Sequence, residues 1–259
     1  MMEPDLIWLC GAFFAIALLY SAAGFGGGSS YLALLSLSLT DFYEIRTLAL
    51  LCNLVVVTGS VILFYRKGHL DWKLCIAFTL ASIPLAFLGA RFKLQENVFF
   101  GILGAALIVS SLALGYQSLA RLKAHIETRT YPRYVTLLLG GGIGLLSGLV
   151  GIGGGIFLAP VLNHLRWDQP IRIAALASFF ILVNSLSGIA GLWSAGTLQS
   201  PVVPALALIG AVLVGGQIGV RMTLSRLTSQ GIRLITAILV FVVGIRVLLI
   251  NGLQLDFGL

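Results

Sequence analysis

Gly24-Phe25-Gly26-Gly27-Gly28-Ser29-Ser30 interrupts an apolar run that extends from Leu6 to Leu39. A second run, from Val135 to Leu165, is interrupted in the same way by Gly151-Ile152-Gly153-Gly154-Gly155. One helical crossing of a bilayer core takes about 20 apolar residues. Each run is therefore too long for one crossing and too short for two, and reads as a helix broken near its middle. Glycine supplies the sharp turn and lets other groups come close to the backbone.

The surrounding sequence supports a membrane setting. Of the 259 residues, 59% are hydrophobic and only 10% charged, and the mean hydropathy is +1.05. A soluble domain carries about 25% charged residues, so this chain lacks the polar surface to face water all round. The other apolar segments are Ile45–Tyr65, Trp72–Phe92, Val98–Leu119, Ile173–Trp193, Val202–Met222 and Ile232–Ile250. They are continuous, unlike the alternating strands of an outer-membrane barrel. A net charge of +7 points to loop cations of a membrane protein, and with no long basic, aromatic-interleaved stretch, nucleic-acid binding is not expected. Cys10, Cys52 and Cys75 show no metal-type spacing and read as thiols packed among helices. The N-terminal segment has Glu3 and Asp5 and no cation ahead of its apolar run, which fits a retained first helix.

The two breaks belong to an internal duplication. Gly24 pairs with Gly151, Gly68-His69-Leu70 with Gly196-Thr197-Leu198, and Gly89-Ala90-Arg91 with Gly219-Val220-Arg221, all at separations of 127 to 130 residues. The reading is an N-terminal repeat over 1–119, a cytoplasmic linker over 120–134 and a C-terminal repeat over 135–259.

Charge decides the orientation. If each long segment crosses once, eight of the sixteen cations lie in the cytoplasm, which is no bias. If each dips in, turns at its glycines and returns, twelve of sixteen lie inside and only Arg46, Arg91, Lys93 and Arg246 outside. The positive-inside rule favours the second arrangement. The expected fold is an all-α integral membrane protein of two inverted repeats, each with three full transmembrane helices plus a glycine-broken, hairpin-like first segment, and with both termini outside.

Inverted repeats with broken helices point to a transporter whose site lies near the midplane. Backbone freed by a break must be buried in protein or line a cavity. The helix restarting after it presents free N–H groups and a partial positive charge, suited to an anion. The expected restarts are Ser29 and Ile156, which makes Gly26, Gly27, Gly28, Ser29 and Ser30 candidate ligands, together with Gly153, Gly154 and Gly155. Ile156 and Phe157 have no hydroxyl to match Ser29 and Ser30, so any site is chemically asymmetric. Single glycines such as Gly59, Gly104 and Gly188 read instead as helix-packing positions.

The segments GFGGGSSYLALL (Gly24–Leu35) and GLVGIGGGIFLAPVL (Gly148–Leu162) resemble the paired signature of the sulfite exporter TauE/SafE family, and Leu88–Phe92 and Ile218–Met222 fit it too. The resemblance spans about Leu6 to Ile250. It implies a bacterial inner-membrane transporter of sulfur-containing anions such as sulfite, thiosulfate, sulfoacetate and other organosulfonates.

Among polar residues within spans, Ser and Thr are expected mostly to bond back to their own helix. Asn53 and Asn184 need partners for both amide ends and divide evenly between helix–helix contact and cavity lining. Arg91 and Arg221, matched across the repeats, offer a guanidinium fork to an oxyanion, but stand at span ends where anchoring is the favoured role. Trp8, Trp72, Trp167 and Trp193 fit an interfacial belt. All nine acids fall at or near loops, so no mid-span proton relay is visible. There is also no nucleophile–base pair or metal cluster, and no enzyme activity, cofactor or metal is expected.

These observations point to a transporter exporting a sulfur-containing anion, with the inside-negative potential favouring exit by about 2.3 kcal/mol per charge per 100 mV. The rivals are an importer of organosulfonates and a non-transporting scaffold. Expected partners are a small anionic substrate and the bilayer; a homodimer is a candidate assembly that no sequence feature demonstrates.

Overall fold

The computed structural model describes residues 3–22, 24–39, 41–119, 128–129, 131–199, 202–224 and 229–253. Ten α-helices follow in order: α1 (Glu3–Ala22), α2 (Gly28–Ser38), α3 (Phe42–Arg66), α4 (Trp72–Arg91), α5 (Glu96–Leu119), α6 (Arg133–Val150), α7 (Gly155–His164), α8 (Pro170–Ser194), α9 (Val202–Leu224) and α10 (Ser229–Arg246). A π-helical turn, Val247–Gly252, continues α10. Seven of the described helices are long and apolar enough to cross a membrane, and no strand occurs among the described residues. The linker lies mostly outside them, including Arg121 and Lys123.

Local chemistry sets the boundaries. The Asp41 and Asp71 carboxylates accept from the first backbone N–H groups of α3 and α4, filling donors that a helix start leaves open. Pro170 opens α8 at a position where its missing N–H costs nothing. At the breaks the restarts come one residue earlier than the sequence suggests, at Gly28 and Gly155. Their caps, Gly27 and Gly154, have φ of 92° and 80°, in the left-handed region that side chains with a Cβ disfavour.

The two arms of each broken segment are unequal. α1 and α6 have 20 and 18 residues, α2 and α7 only 11 and 10, which is about 30 Å against about 16 Å at 1.5 Å per residue. In the second segment the ends of the two arms are tied together. The Tyr131 hydroxyl donates to the Leu165 carbonyl at 2.9 Å, the Arg129 N–H donates to the Arg166 carbonyl at 3.0 Å, and the Tyr131 and Trp167 rings stack at 4.4 Å. The chain thus enters at Tyr131 and comes back beside it. Trp167, expected in an interfacial belt, is instead 8% exposed, because its ring fills the base of this hairpin between Tyr131 and Phe78. Trp8, Trp72 and Trp193 are exposed.

Pairing between the halves follows a regular exchange. α6 lies along α4 with Gly140 on Phe78, Gly144 on Ser82 and Gly148 on Ala86, so the two run the same way. α1 lies along α9 with Phe14 on Gly215 and Leu18 on Gly219, also the same way. α3 and α8 run oppositely, Leu50 facing Gly188 and Asn53 facing Ser185. α5 opposes the end of the chain, with Gly244 at Leu107 and Leu248 at Gly104. α3 runs with α9, with Val56 at Gly216 and Gly59 at Gln217. α8 runs with α4, with Asn184 at Ser82 and Gly191 at Phe87. Hence α1 and α3 point the same way, as do α6 and α8, and the break between each pair turns the chain back.

Small residues make these approaches feasible, as membrane helix packing requires. A Cβ on Gly144 would stand 2.6 Å from the Cα of Ser82, and one on Gly59 would stand 1.6 Å from Nε2 of Gln217. Gly104 meets the Leu248 backbone in the same manner, while Gly188 has ordinary contact space. Gly144→Val is therefore expected to destabilise the fold by about 3 kcal/mol or more, the upper range for overpacking. Thermal unfolding in detergent checks this, and a melting temperature equal to that of the parent would contradict the α4–α6 contact.

Candidate functional site

The two glycine breaks meet on one side chain, Asn53, midway along α3. Its Nδ2 donates to the Ile152 carbonyl at 3.2 Å and to Ser185 Oγ at 3.3 Å. Gly26, Gly28 and Gly153 all press on the same amide: a Cβ would stand 1.8 Å from Oδ1 at Gly26, 3.2 Å from Cγ at Gly28 and 2.8 Å from Nδ2 at Gly153. The start of α2 also reaches the second break, since a Cβ on Gly28 would lie 3.4 Å from the Ile152 carbonyl oxygen. Asn53 Oδ1 is buried and has no hydrogen-bond partner among the described residues. A buried acceptor left in this state is costly, and here it sits where two interrupted backbones converge.

Neither restart has a side-chain cap. At α2 the Ser30 and Tyr31 N–H groups turn back to the Gly27 carbonyl, and at α7 the Phe157 and Leu158 N–H groups turn back to Gly154. The foremost N–H groups, those of Gly28 and Gly155, point ahead of the helix ends, where the dipole favours negative charge. Ser29 and Ser30 are fully buried, and the Tyr20 hydroxyl of α1 bridges toward both, bonding the Ser30 hydroxyl closely and Ser29 Oγ at 3.5 Å. Tyr31 Oη is buried without a partner among the described residues, its ring stacked on Phe13 at 4.6 Å. On the α7 side the matching positions are Ile156 and Phe157, both buried, and Gly155 abuts the Ile181 side chain.

One residue stands apart from its expected place. Arg46, counted above among the outer-loop cations, is 1% exposed. Its guanidinium donates to the Gly148 carbonyl, lies 5.6 Å from the Phe99 ring centre, and its stem packs on Gly151. Arg46 and Asn53 are seven residues apart, two helical turns on one face of α3, so a single helix face holds both ends of the second break. A cation on the last carbonyls of α6 is also where the helix dipole favours it. The available signal was a cation one turn inside the helix capped by Asp41, which the count treated as a loop residue.

The remaining candidates divide. Asn184 Oδ1 accepts from Ser82 Oγ at 3.0 Å, joining α8 to α4, while its Nδ2 is buried without a partner among the described residues. Arg91 and Arg221 are exposed in the last turns of α4 and α9, outside the group around Asn53; the Arg91 guanidinium lies 5.7 Å from the Phe87 ring centre. Thr58, Ser60 and Ser178 bond back to carbonyls four residues earlier. Ser187 instead donates across to the Ile83 carbonyl.

Interrupted helices, buried polar groups at the interruption and long apolar spans define a multi-pass membrane transporter. Residues 9–247 match the sulfite exporter TauE/SafE family, and the chain belongs to that family. It is also 32% identical over 248 residues, 95% of this chain and 100% of the relative, to the "Probable membrane transporter protein y4hK" of Sinorhizobium fredii.

Contact at Asn53 should make substitutions non-additive. Gly26→Ala places a methyl group against Oδ1, and Asn53→Ala leaves the Ile152 carbonyl short of a donor, each costing about 1–3 kcal/mol. In the double variant the methyl group meets a vacated space, so the two losses should sum to more than the double variant shows. Melting temperatures of the four proteins test this, and strict additivity would mean that the two residues do not touch.

Proposed function

We propose that the protein exports a sulfur-containing anion, sulfite or a small organosulfonate, across the bacterial inner membrane, through a site where the two glycine breaks meet between inverted repeats. The observation that carries this reading is the convergence of both breaks, with their uncapped helix starts, on Asn53. Lipid cannot satisfy such backbone, and packing alone gives no reason to leave Asn53 Oδ1 unpartnered. The exchange of helix pairs between the halves supports the inverted arrangement. The registers of the described helices bring the ends of α3, α5 and α9 and the starts of α4, α6 and α8 to one side, with Arg66, Lys67, Lys73, Arg129, Arg133, Arg166, Arg172 and Arg221, which supports the orientation read from charge.

In this reading the N–H groups at Gly28 and Gly155 and the hydroxyl groups at Ser29 and Ser30 bind the oxyanion. Arg46 supplies a fixed positive charge, and Asn53 Oδ1 accepts from a protonated form or from a carried water. The work is binding and release, with no bond made or broken. Five of the acids, Asp41, Glu44, Asp71, Glu96 and Asp168, have described side chains, and all five stand in loops or first helical turns, which suits transport driven by potential without a coupling proton.

Purified protein in vesicles should move sulfite down an imposed potential, with about fifty-fold accumulation of a monovalent anion per 100 mV. Arg46→Gln should abolish that flux while Arg91→Gln retains most of it. Flux that required an opposing proton gradient would refute the uncoupled mechanism. Single cysteines at Lys67, Arg133 and Arg172 should react with an impermeant thiol reagent from one side of the membrane and a cysteine at Lys93 from the other; labelling of Arg172→Cys from the Lys93 side would rule out the inverted arrangement.

A further inference from the structure

The two halves use one turn twice but charge it only once. After α3, the N–H groups of Lys67, Gly68 and His69 return to the carbonyls of Leu63, Tyr65 and Phe64. After α8, those of Ala195, Gly196 and Thr197 return to Gly191, Trp193 and Leu192 in the same pattern. The glycines have φ of 70° and 67°. Backbone geometry is thus independent of the side chains, yet the first turn reads Arg66-Lys67-Gly68-His69-Leu70-Asp71-Trp72-Lys73 and the second Ser194-Ala195-Gly196-Thr197-Leu198-Gln199.

The charged copy encloses an open basin of about 410 Å³ lined by His69, Lys73 and, from the start of α8, Arg172. Two carboxylates stand with them, Asp71 in the lining itself and Asp168 beside Arg172, and both are engaged. Asp71 accepts from the Lys73 and Leu74 N–H groups, and Asp168 lies 3.8 Å from Arg172. With Arg66 and Lys67 exposed beside it, the basin has four cations against two carboxylates. Asp71 and Arg172 also line a narrow seam beneath it, of about 10 Å³, walled by Leu74, Leu162, Trp167 and Leu176. Leu176 is five residues from Ile181 on α8, about 7.5 Å of helix, and Ile181 touches Gly153 and Gly155. The basin therefore adjoins, through Asp71 and Arg172, a narrow seam against α8, the helix whose Ile181 touches the second break.

We propose that this basin captures the transported anion on one face of the membrane only, concentrating it beside the narrow seam against α8. A concave site with an excess of one sign of charge raises local counter-ion concentration by tenfold or more, and the neutral copy of the turn gives the opposite face no such advantage. The inference rests on the transport reading for the identity of the cargo, not for the presence of an anion site.

The test uses the full-length protein and its His69→Gln/Lys73→Gln/Arg172→Gln variant in phosphatidylcholine vesicles. Trp72 lies at the basin, so iodide, an anionic quencher, should quench its emission several-fold more strongly than in the variant, with neutral acrylamide unchanged; Trp72→Phe in both backgrounds isolates that signal. Sulfite presented to the basic face should show a half-saturating concentration about tenfold higher in the variant at low salt, and the difference should shrink at about 1 M salt, where screening acts within 3 Å. From the opposite face the two proteins should match. Equal iodide quenching, or an equal shift from both faces, overturns the proposal. An iodide preference that disappears when anionic lipid is added assigns the basin to headgroups and also overturns it. Iodide preference without sulfite flux in the parent protein supports the basin and refutes the transport reading.

Discussion

A helix interrupted inside a membrane exposes carbonyl and N–H groups that hydrocarbon cannot satisfy, and the fold is organised around meeting that demand. α3 does most of it for the second break. Arg46 takes the Gly148 carbonyl at the end of α6, and Asn53 takes the Ile152 carbonyl within the turn. Because Gly26 and Gly28 rest on the same Asn53 side chain, the first break is located by the second. One helix face thereby fixes the relative position of the two breaks.

The same constraint explains the glycine-lined contacts elsewhere. For α3 to reach both breaks, α4 and α9 must lie close against the long arms α6 and α1, and they do so across Gly144, Gly148, Gly215 and Gly219, where a Cβ would collide with the facing helix. Lipid chains are as apolar as the helices, so close van der Waals approach and a few polar contacts carry the association. Ser82 to Asn184 and Ser187 to Ile83 are such contacts, both between α4 and α8. The packing is dense around the breaks, and buried polar atoms at Asn53, Asn184, Tyr31 and Ser147 have no hydrogen-bond partner among the described residues.

The halves are alike in backbone and unlike in chemistry. Tyr20, Ser29 and Ser30 form a hydroxyl cluster at the first restart, whereas Ile156, Phe157 and Ile181 surround the second. Tyr131 and Trp167 close the base of the second hairpin. The two breaks thus share backbone geometry and differ in the chemistry of the side chains around them.

The membrane class, the apolar segments and the two breaks were legible in the sequence, because span length, composition and glycine clustering are local properties of the chain. Asn53 was also legible as an unresolved polar residue, since an amide in a span needs partners wherever it sits. Its role was not, because its partners Ile152 and Ser185 lie 99 and 132 residues away. Arg46 was misplaced for a related reason: charge counting assigns a cation near a span end to water, and only its long-range contacts with Gly148 of α6 and Phe99 of α5 bring it inside. Trp167 followed the same pattern, an aromatic near a helix end that long-range stacking buries. Sequence alone determined which segments break and that they break in pairs; tertiary structure decided which side chains close the breaks, because those bonds join residues that only the folded arrangement of helices brings within reach.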